Sequence, residues 1–351
     1  MKIFNATSNP IMYTNTNAPG SNKIYDYSGK SNFLYRYNLA SDVISFKRAA
    51  NPDEGKQLFS CKDSMELAEK ISDKANVGLN ESISKKFKNG ESYVNLMTNV
   101  EDKSIYVVEA GSGPINDNLM EFRQIVDAAK RDGAEKITAI IPYMPYSRQD
   151  RISKTGESIA AKMVAEDIQR AGADKIITVD LHSVQTQGFY NIPCKNLSAM
   201  PLFANYFRNK GNLSDFAIIS PDFGGEKRAK ALAKELDAPI AIISKERSEH
   251  NKAEAVAIFG NVKGKNCILI DDMIDTAGTI TEAVKMLKNN GAKDVYICAT
   301  HGIFSDNAYE NIKNCPVKEV IVTDTLPLKP GAPSNVKQIS ISSILAKELK
   351  N

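Results

Sequence analysis

The sequence predicts an α/β fold made of two similar halves, each a mainly parallel sheet flanked by helices. Two observations carry that prediction. From Leu58 onward, short runs of β-branched and apolar residues alternate with helix-like segments. Their near-continuous apolar character suits strands buried on both faces of a parallel sheet. In addition, one pattern recurs three times: an amphipathic helix, then Gly-Ala, then a strand, in "DAAKRDGAEKITAIIP", "EDIQRAGADKIITVD" and "KMLKNNGAKDVYICAT". Gly133, Gly172 and Gly291 suit the left-handed residue that closes a helix, where glycine carries no Cβ penalty. Repeated helix-to-strand units imply α/β layering with right-handed crossovers.

Along the chain, residues 1–56 stand apart. They hold eight asparagines and five of the thirteen tyrosines with weak periodicity, and read as an appended extension of unknown function. The predicted strands then follow in order: "KITAIIPY" (136–143), "KIITVDLH" (175–182), "FAIISPD" (216–222), "PIAIISK" (239–245), "CILIDD" (267–272) and "DVYICATH" (294–301). The two halves meet near residues 197–205. The expected division is a first domain over 57–200 and a second over 201–351, with the last segment a candidate to pack back on the first.

Composition excludes several functions. Charged residues make up 25% of the chain and the net charge is +3, so charge predicts no nucleic-acid partner. No run approaches the roughly 18 apolar residues of a membrane span, and the first residues lack the layout of a signal peptide. Five cysteines without a C-x-x-C spacing argue against a disulfide frame or a cysteine zinc site, so a reducing, cytoplasmic setting is expected. Gly29-Lys30-Ser31 is not a phosphate-binding P-loop, because Ile24 stands where the loop needs its first glycine.

The chemistry concentrates in "CILIDDMIDTAGTITEA", Cys267 to Ala283. Ligands bind beyond the carboxyl ends of strands in open parallel sheets, and Asp271 and Asp272 are expected there. The following Asp275, Thr276, Ala277, Gly278 and Thr279 make a turn short enough for backbone N–H groups to converge on one anion. The next helix presents its positive N-terminus to the same place. Thr276 and Thr279 add hydroxyls, and Gly278 permits close backbone approach. A lone Asp-Thr would as readily cap a helix. A phosphate in the turn, with a hydroxyl-rich body against the acids, describes a sugar phosphate.

The full string "ILIDDMIDTAGT" resembles the phosphoribosyl-diphosphate motif of phosphoribosyltransferases and ribose-phosphate diphosphokinases. Four further segments choose between them: "PYMPYSRQDR" (142–151), "VDLHSVQTQGFYNIP" (179–193), "SPDFGGEKRAKALA" (220–233) and "ISKERS" (243–248). Taken singly, each has a bland reading as a solvated loop, a structural histidine or a charged surface. In this order, with "KFKNGE", "GPINDNLME", "HGIFS" and "ILAKEL", residues 57–349 are similar to ribose-phosphate diphosphokinase from end to end.

That resemblance implies two stacked phosphoribosyltransferase-like domains, assembled into dimers and then hexamers. It implies transfer of the β,γ-diphosphoryl group of ATP to the 1-hydroxyl of ribose 5-phosphate, giving phosphoribosyl diphosphate and AMP for nucleotide biosynthesis. It assigns Lys245 and Arg247 to catalysis. It assigns Phe87, Asn89, Gly90, Glu91, Arg148 and Gln149 to ATP, the Phe87-to-Glu91 loop reaching in from a neighbouring subunit. Asp271, Asp272 and Asp275 to Thr279 would hold ribose 5-phosphate, and His182 and Asp222 fall at positions associated with the cofactor Mg²⁺. The chain departs from the family pattern at Asn89, Asn191, Lys195 and Ile152. Those departures leave open a catalytically weak regulatory homologue, and the shared turn leaves open a phosphoribosyltransferase acting on a base.

Overall fold

The computed structural model describes residues 55–110, 113–211, 213–246 and 255–350. The 1–54 segment with its Gly-Lys-Ser, and Arg247, lie outside the described residues.

The first half runs β1 (Lys56–Ser60), α1 (Met65–Ala75), β2 (Gly78–Leu79), β3 (Ser82–Lys86), β4 (Ser92–Leu96), β5 (Ser104–Val108), α2 (Ile115–Arg131), β6 (Lys136–Ile140), α3 (Ala160–Ala171), β7 (Lys175–Val179) and β8 (Cys194–Leu197). The second runs α4 (Met200–Arg208), β9 (Phe216–Ser220), α5 (Glu226–Leu236), β10 (Ile240–Glu246), β11 (Ala255–Phe259), β12 (Asn266–Ile274), α6 (Gly278–Asn289), β13 (Val295–Gly302), α7 (Ala308–Lys313), β14 (Glu319–Thr323), β15 (Val336–Ile339) and α8 (Ser342–Lys350).

All six runs expected as strands are strands, and the sheets are parallel where expected. The first is ordered β2-β1-β5-β6-β7-β8 and is parallel throughout. The second is ordered β11-β10-β9-β12-β13-β14-β15, with only its edge strand β11 antiparallel. Parallel neighbours need long crossovers, which the helices supply. β9 and β13 are buried at every position, as strands covered on both faces must be. In α3 the buried Ala160, Ala161, Val164, Ala165 and Ile168 fall on one helical stripe. Gly172 then closes α3 at φ +118, and Gly133 and Gly291 are left-handed at the corresponding places.

One face of each sheet shares a single core. Leu58, Val108, Ile140 and Val179 of the first sheet and Ile218, Ile268, Ile270 and Ile321 of the second belong to one buried cluster, with Phe203 and Phe207 of α4 inside it. The outer faces are covered separately, by α2 and α3 on the first sheet and by α6 and α7 on the second. The final helix α8 lies against α1 of the first half: Leu345, Ala346 and Leu349 join Leu67, Ala68 and Ile71 in the shared core. Lys56 Nζ donates to the Leu349 carbonyl at 2.9 Å. Leu345 is fully buried, so Leu345→Ala should cost about 2–5 kcal/mol in urea unfolding, the range for emptying a leucine site in a packed core.

No helix among the described residues is long and apolar enough to cross a membrane. The five cysteines are free thiols.

Candidate active site

The strand order of the second sheet reverses between β9 and β12, since β9 leads to β10 on one side while β12 continues the sheet on the other. Crevices form at such reversals beyond the carboxyl ends of strands. Asp222 follows β9 there, and Asp271 and Asp272 sit on β12. Both acids lie within the strand, as the expected run 267–272 has them, but the strand does not end with them. β12 continues to Ile274, and Asp271 pairs with Ala299 and Met273 with His301 of β13. The alternation of a strand therefore separates the two side chains: Asp272 is 6% exposed and Asp271 31%.

Arg228, in the first turn of α5, reaches both. Its Nη1 lies 3.1 Å from Asp271 Oδ1, and its Nη2 lies 3.4 Å from Asp272 Oδ1. The other oxygen of Asp272 is 2.6 Å from His182 Nδ1, delivered from the first half just beyond β7. Burial pushes the Asp271 carboxyl well above the usual carboxylate range, and the neighbouring Asp272 adds to the rise. Burial acts in the same sense on Asp272, yet the hydrogen bond with His182 and the charge of Arg228 outweigh it and hold that carboxyl low. The same hydrogen bond raises His182 against its own burial. Asp272 is the fixed negative charge here, and Asp271 is the more readily protonated of the two acids.

The turn beyond β12 joins the two halves again. Asp275 Oδ2 accepts from Arg148 Nη1 at 2.7 Å. Burial would raise the Asp275 carboxyl, but the Ser305 hydroxyl and the Arg148 guanidinium bring it below the usual range. Ala277, not Gly278, takes the left-handed backbone, at φ +62, and α6 begins at Gly278. A Cβ placed on Gly278 would meet only Thr276 Oγ1, at 3.9 Å, so the space above it is open to a ligand. Thr276 and Thr279 are exposed and Ala277 is buried. Asn311 of α7 steadies the turn from behind, Nδ2 donating to the Thr276 carbonyl at 2.9 Å. The first N–H groups of a helix have no intrahelical acceptor, so this mouth of α6 suits an anion.

The structure brings together Arg148, His182, Asp271, Asp272 and Asp275. Gln149 is exposed beside Arg148, its N–H donating to the Tyr146 carbonyl at 2.9 Å. Phe87, Asn89, Gly90 and Glu91 lie elsewhere, at the tip of the β3–β4 hairpin. The tip is held by the Phe87 N–H on the Glu91 carbonyl at 2.8 Å and by Asn89 Nδ2 on Glu91 Oε2 at 2.9 Å. The hairpin rests on α2 through Gln124 Nε2 on the Ser92 carbonyl at 2.9 Å and the Lys86–Asp117 pair. Phe87 is 51% exposed. Lys245 is in β10, opposite Val256 of β11.

Of the departures from the family pattern, Lys195 has a local partner: its Nζ contacts both Glu348 oxygens, at 2.8 and 2.7 Å, tying β8 to α8. The Asn191 N–H donates to Gln169 Oε1 at 2.6 Å, and Ile152 is 59% exposed.

Among the described residues no three His, Cys, Asp or Glu side chains converge on a metal position. Asp222 is exposed, with Oδ1 accepting the Gly225 N–H at 2.8 Å. That donor set suits a hard ion that keeps its waters and is held by one or two carboxylates plus substrate phosphates, not one caged by protein.

Arg228 escaped the sequence reading because "GGEKRAKALAKEL" carries the alternating charges of a solvated helix. The signal that could have found it is its place three residues after the Gly-Gly turn, within the helix's first turn.

Two family models match the chain. One described as the N-terminal domain of ribose phosphate pyrophosphokinase covers residues 56–172, and one described as the phosphoribosyl synthetase-associated domain covers residues 250–351. A ribose-phosphate pyrophosphokinase of Fusobacterium nucleatum is 44% identical over 292 residues, 83% of this chain and 92% of that protein. The Bacillus subtilis protein of the same name is 43% identical over 298 residues, 85% of this chain and 94% of its own. The crystal structure of a phosphoribosylpyrophosphate synthetase from Mycobacterium smegmatis aligns with a TM-score of 0.80 at 38% identity, over 85% of this chain and 98% of that one. These relatives match in sequence and in the α/β architecture together, and the chain belongs to the ribose-phosphate pyrophosphokinase family.

Proposed function

We propose that this chain moves the β,γ-diphosphoryl group of ATP onto the 1-hydroxyl of ribose 5-phosphate. The carrying observation is the crevice itself. At the strand-order reversal, a helix mouth suited to phosphate stands beside the two acids, with Arg228 of α5 facing both and His182 of the first half facing Asp272.

In the reaction, the 1-hydroxyl oxygen bonds to the β-phosphorus as the bond from that phosphorus to the α,β-bridging oxygen breaks. AMP leaves with the bridging oxygen, and the hydroxyl proton is released. Such a transfer depends on alignment and charge stabilisation more than on covalent help from protein. The Asp275-to-Thr279 turn receives the 5-phosphate, and Asp271 accepts hydrogen bonds from ribose hydroxyls. Asp272 is committed to His182 and Arg228 and holds that wall of the crevice. Arg148 and Gln149 take ATP, together with Phe87, Asn89, Gly90 and Glu91. By family resemblance that hairpin tip comes from a neighbouring subunit of a homo-oligomer, and its attachment to α2 and exposed Phe87 support the reading. Lys245 and Arg247 stabilise charge on the group in flight.

Asp222 and His182 would hold Mg²⁺, which supplies charge neutralisation on the phosphate chain when bound. The domains divide as 57–200 and 201–351, α8 belonging spatially to the first, and a cytoplasmic enzyme is the setting that fits five free thiols. The test is release of AMP by the purified protein with ATP, ribose 5-phosphate and Mg²⁺. Turnover that requires the sugar phosphate supports the proposal. No AMP release, or consumption of phosphoribosyl diphosphate with a free base, contradicts it.

A further inference from the structure

Asp180 directly follows β7, two residues before His182, and the proposed reaction gives it no task. We propose that Asp180 is a positioning residue that fixes the backbone turning His182 onto Asp272. The inference rests on the proposed role of His182.

The Asp180 backbone has φ +42, in the left-handed region, which Asp and Asn enter more readily than other side chains and which the surroundings must hold in place here. Its surroundings do so from both halves. The Asp180 N–H donates to the Leu197 carbonyl at 2.9 Å. Its Oδ2 accepts the Thr300 hydroxyl at 2.7 Å and the Ala199 N–H at 3.0 Å. Its carbonyl lies 3.3 Å from His301 Nε2, which must donate there because a carbonyl can only accept. His301 is 2% exposed, and its ring packs 5.0 Å from that of Tyr143. One residue further on, the Leu181 N–H donates to Asn196 Oδ1 at 3.1 Å.

The register of the second sheet gives this bracing its direction. Asp271 pairs with Ala299 and Met273 with His301, so Thr300 flanks Asp272 on the neighbouring strand. Two ties therefore run side by side across the crevice, Asp180 to Thr300 and His182 to Asp272. They leave one segment of the first half, two residues apart, and reach adjacent strands of the second. Asp180 Oδ2, with two donors on it, serves the protein and not an ion. Thr300 is fully buried and touches no substrate position, so it reports on the tie alone.

The experiment compares Asp180→Ala, Asp180→Asn and Thr300→Val in kcat, KM, Mg²⁺ half-saturation and crystal structure without ligands. Asp180→Ala and Thr300→Val should each lower kcat about 10-fold or more, the size of loss that a misplaced catalytic group brings. KM values and Mg²⁺ half-saturation should stay within about twofold. Asp180→Asn keeps an acceptor and tolerates left-handed backbone, so it should remain within about threefold of the unmodified enzyme. In the crystals, the His182–Asp272 contact should survive in Asp180→Asn and be lost in Thr300→Val. Two results overturn the inference. One is an Asn variant as impaired as Ala with a raised Mg²⁺ requirement, which makes Asp180 a metal ligand. The other is a Thr300→Val enzyme with full kcat or an intact contact. Should Asp180→Ala fail to fold, the other two variants decide. Should the unmodified protein release no AMP, the proposed function fails, while the crystal structures still decide the role of Asp180.

Discussion

Arg228→Ala should destabilise the protein by about 3 kcal/mol and sharply reduce kcat/KM for ribose 5-phosphate. The arginine spans two carboxylates, and removing one partner of a buried pair leaves uncompensated charge, at a cost of about 3–5 kcal/mol when burial is complete. Here Asp272 is 6% exposed but Asp271 31%, so the low end of that range applies. The variant can relieve the repulsion by protonating Asp271, already raised by burial, but a protonated Asp271 is a poorer acceptor for ribose hydroxyls. Arg228→Lys keeps the charge and loses the fork that reaches both acids. It should recover stability more than activity. Urea unfolding and initial rates against ribose 5-phosphate check both. An Arg228→Ala enzyme of unchanged stability and KM would mean that the contacts to Asp271 and Asp272 are incidental.

Lys245→Ala should lower kcat by about 100-fold or more, the loss seen when a donor to developing charge is removed. The fold should remain, because β10 is held by backbone pairing with β9 through Ile240 to Ile242 and with β11. A rate within a few-fold of the unmodified enzyme, with ATP binding unchanged, would remove Lys245 from the transition state. The two variants differ in kind: Arg228→Ala should lose stability and sugar-phosphate affinity, Lys245→Ala turnover alone.

Much of the architecture was legible in the chain because the central strands are apolar at nearly every position and the helices ahead of them end in glycine. Gly133, Gly172 and Gly291 are left-handed as their Gly-Ala contexts require. Other strands were harder to see. β1 is "KQLFS", with only two apolar residues, and neither β1, β5 nor β14 follows one of the helix–Gly-Ala units that mark β6, β7 and β13. The "IDDMIDTAGT" string marked the right crevice, since its acids and small residues are contiguous in sequence. It could not show that β12 continues past the acids to Ile274, or that Ala277 rather than glycine takes the left-handed turn, because β13 and Asn311 impose those features from a distance.

The parts of the site that sequence missed depend on long-range contacts. Arg228 lies 43 residues from Asp271, and Asp180 lies 120 residues from Thr300. Each looks ordinary locally, one on a charged helix and the other at a strand end. Lys195 shows the same limit: a departure from the family pattern proves to be a tie between β8 and Glu348 of α8.

The most direct measurement is a crystal structure with ribose 5-phosphate and a non-hydrolysable ATP analogue bound together. The 5-phosphate should lie in the Asp275-to-Thr279 turn at the mouth of α6, with Arg148 drawn from Asp275 toward the nucleotide and the β-phosphorus facing the sugar's 1-hydroxyl. An empty turn, or a triphosphate seated away from the crevice between β9 and β12, would contradict the assignment of this site.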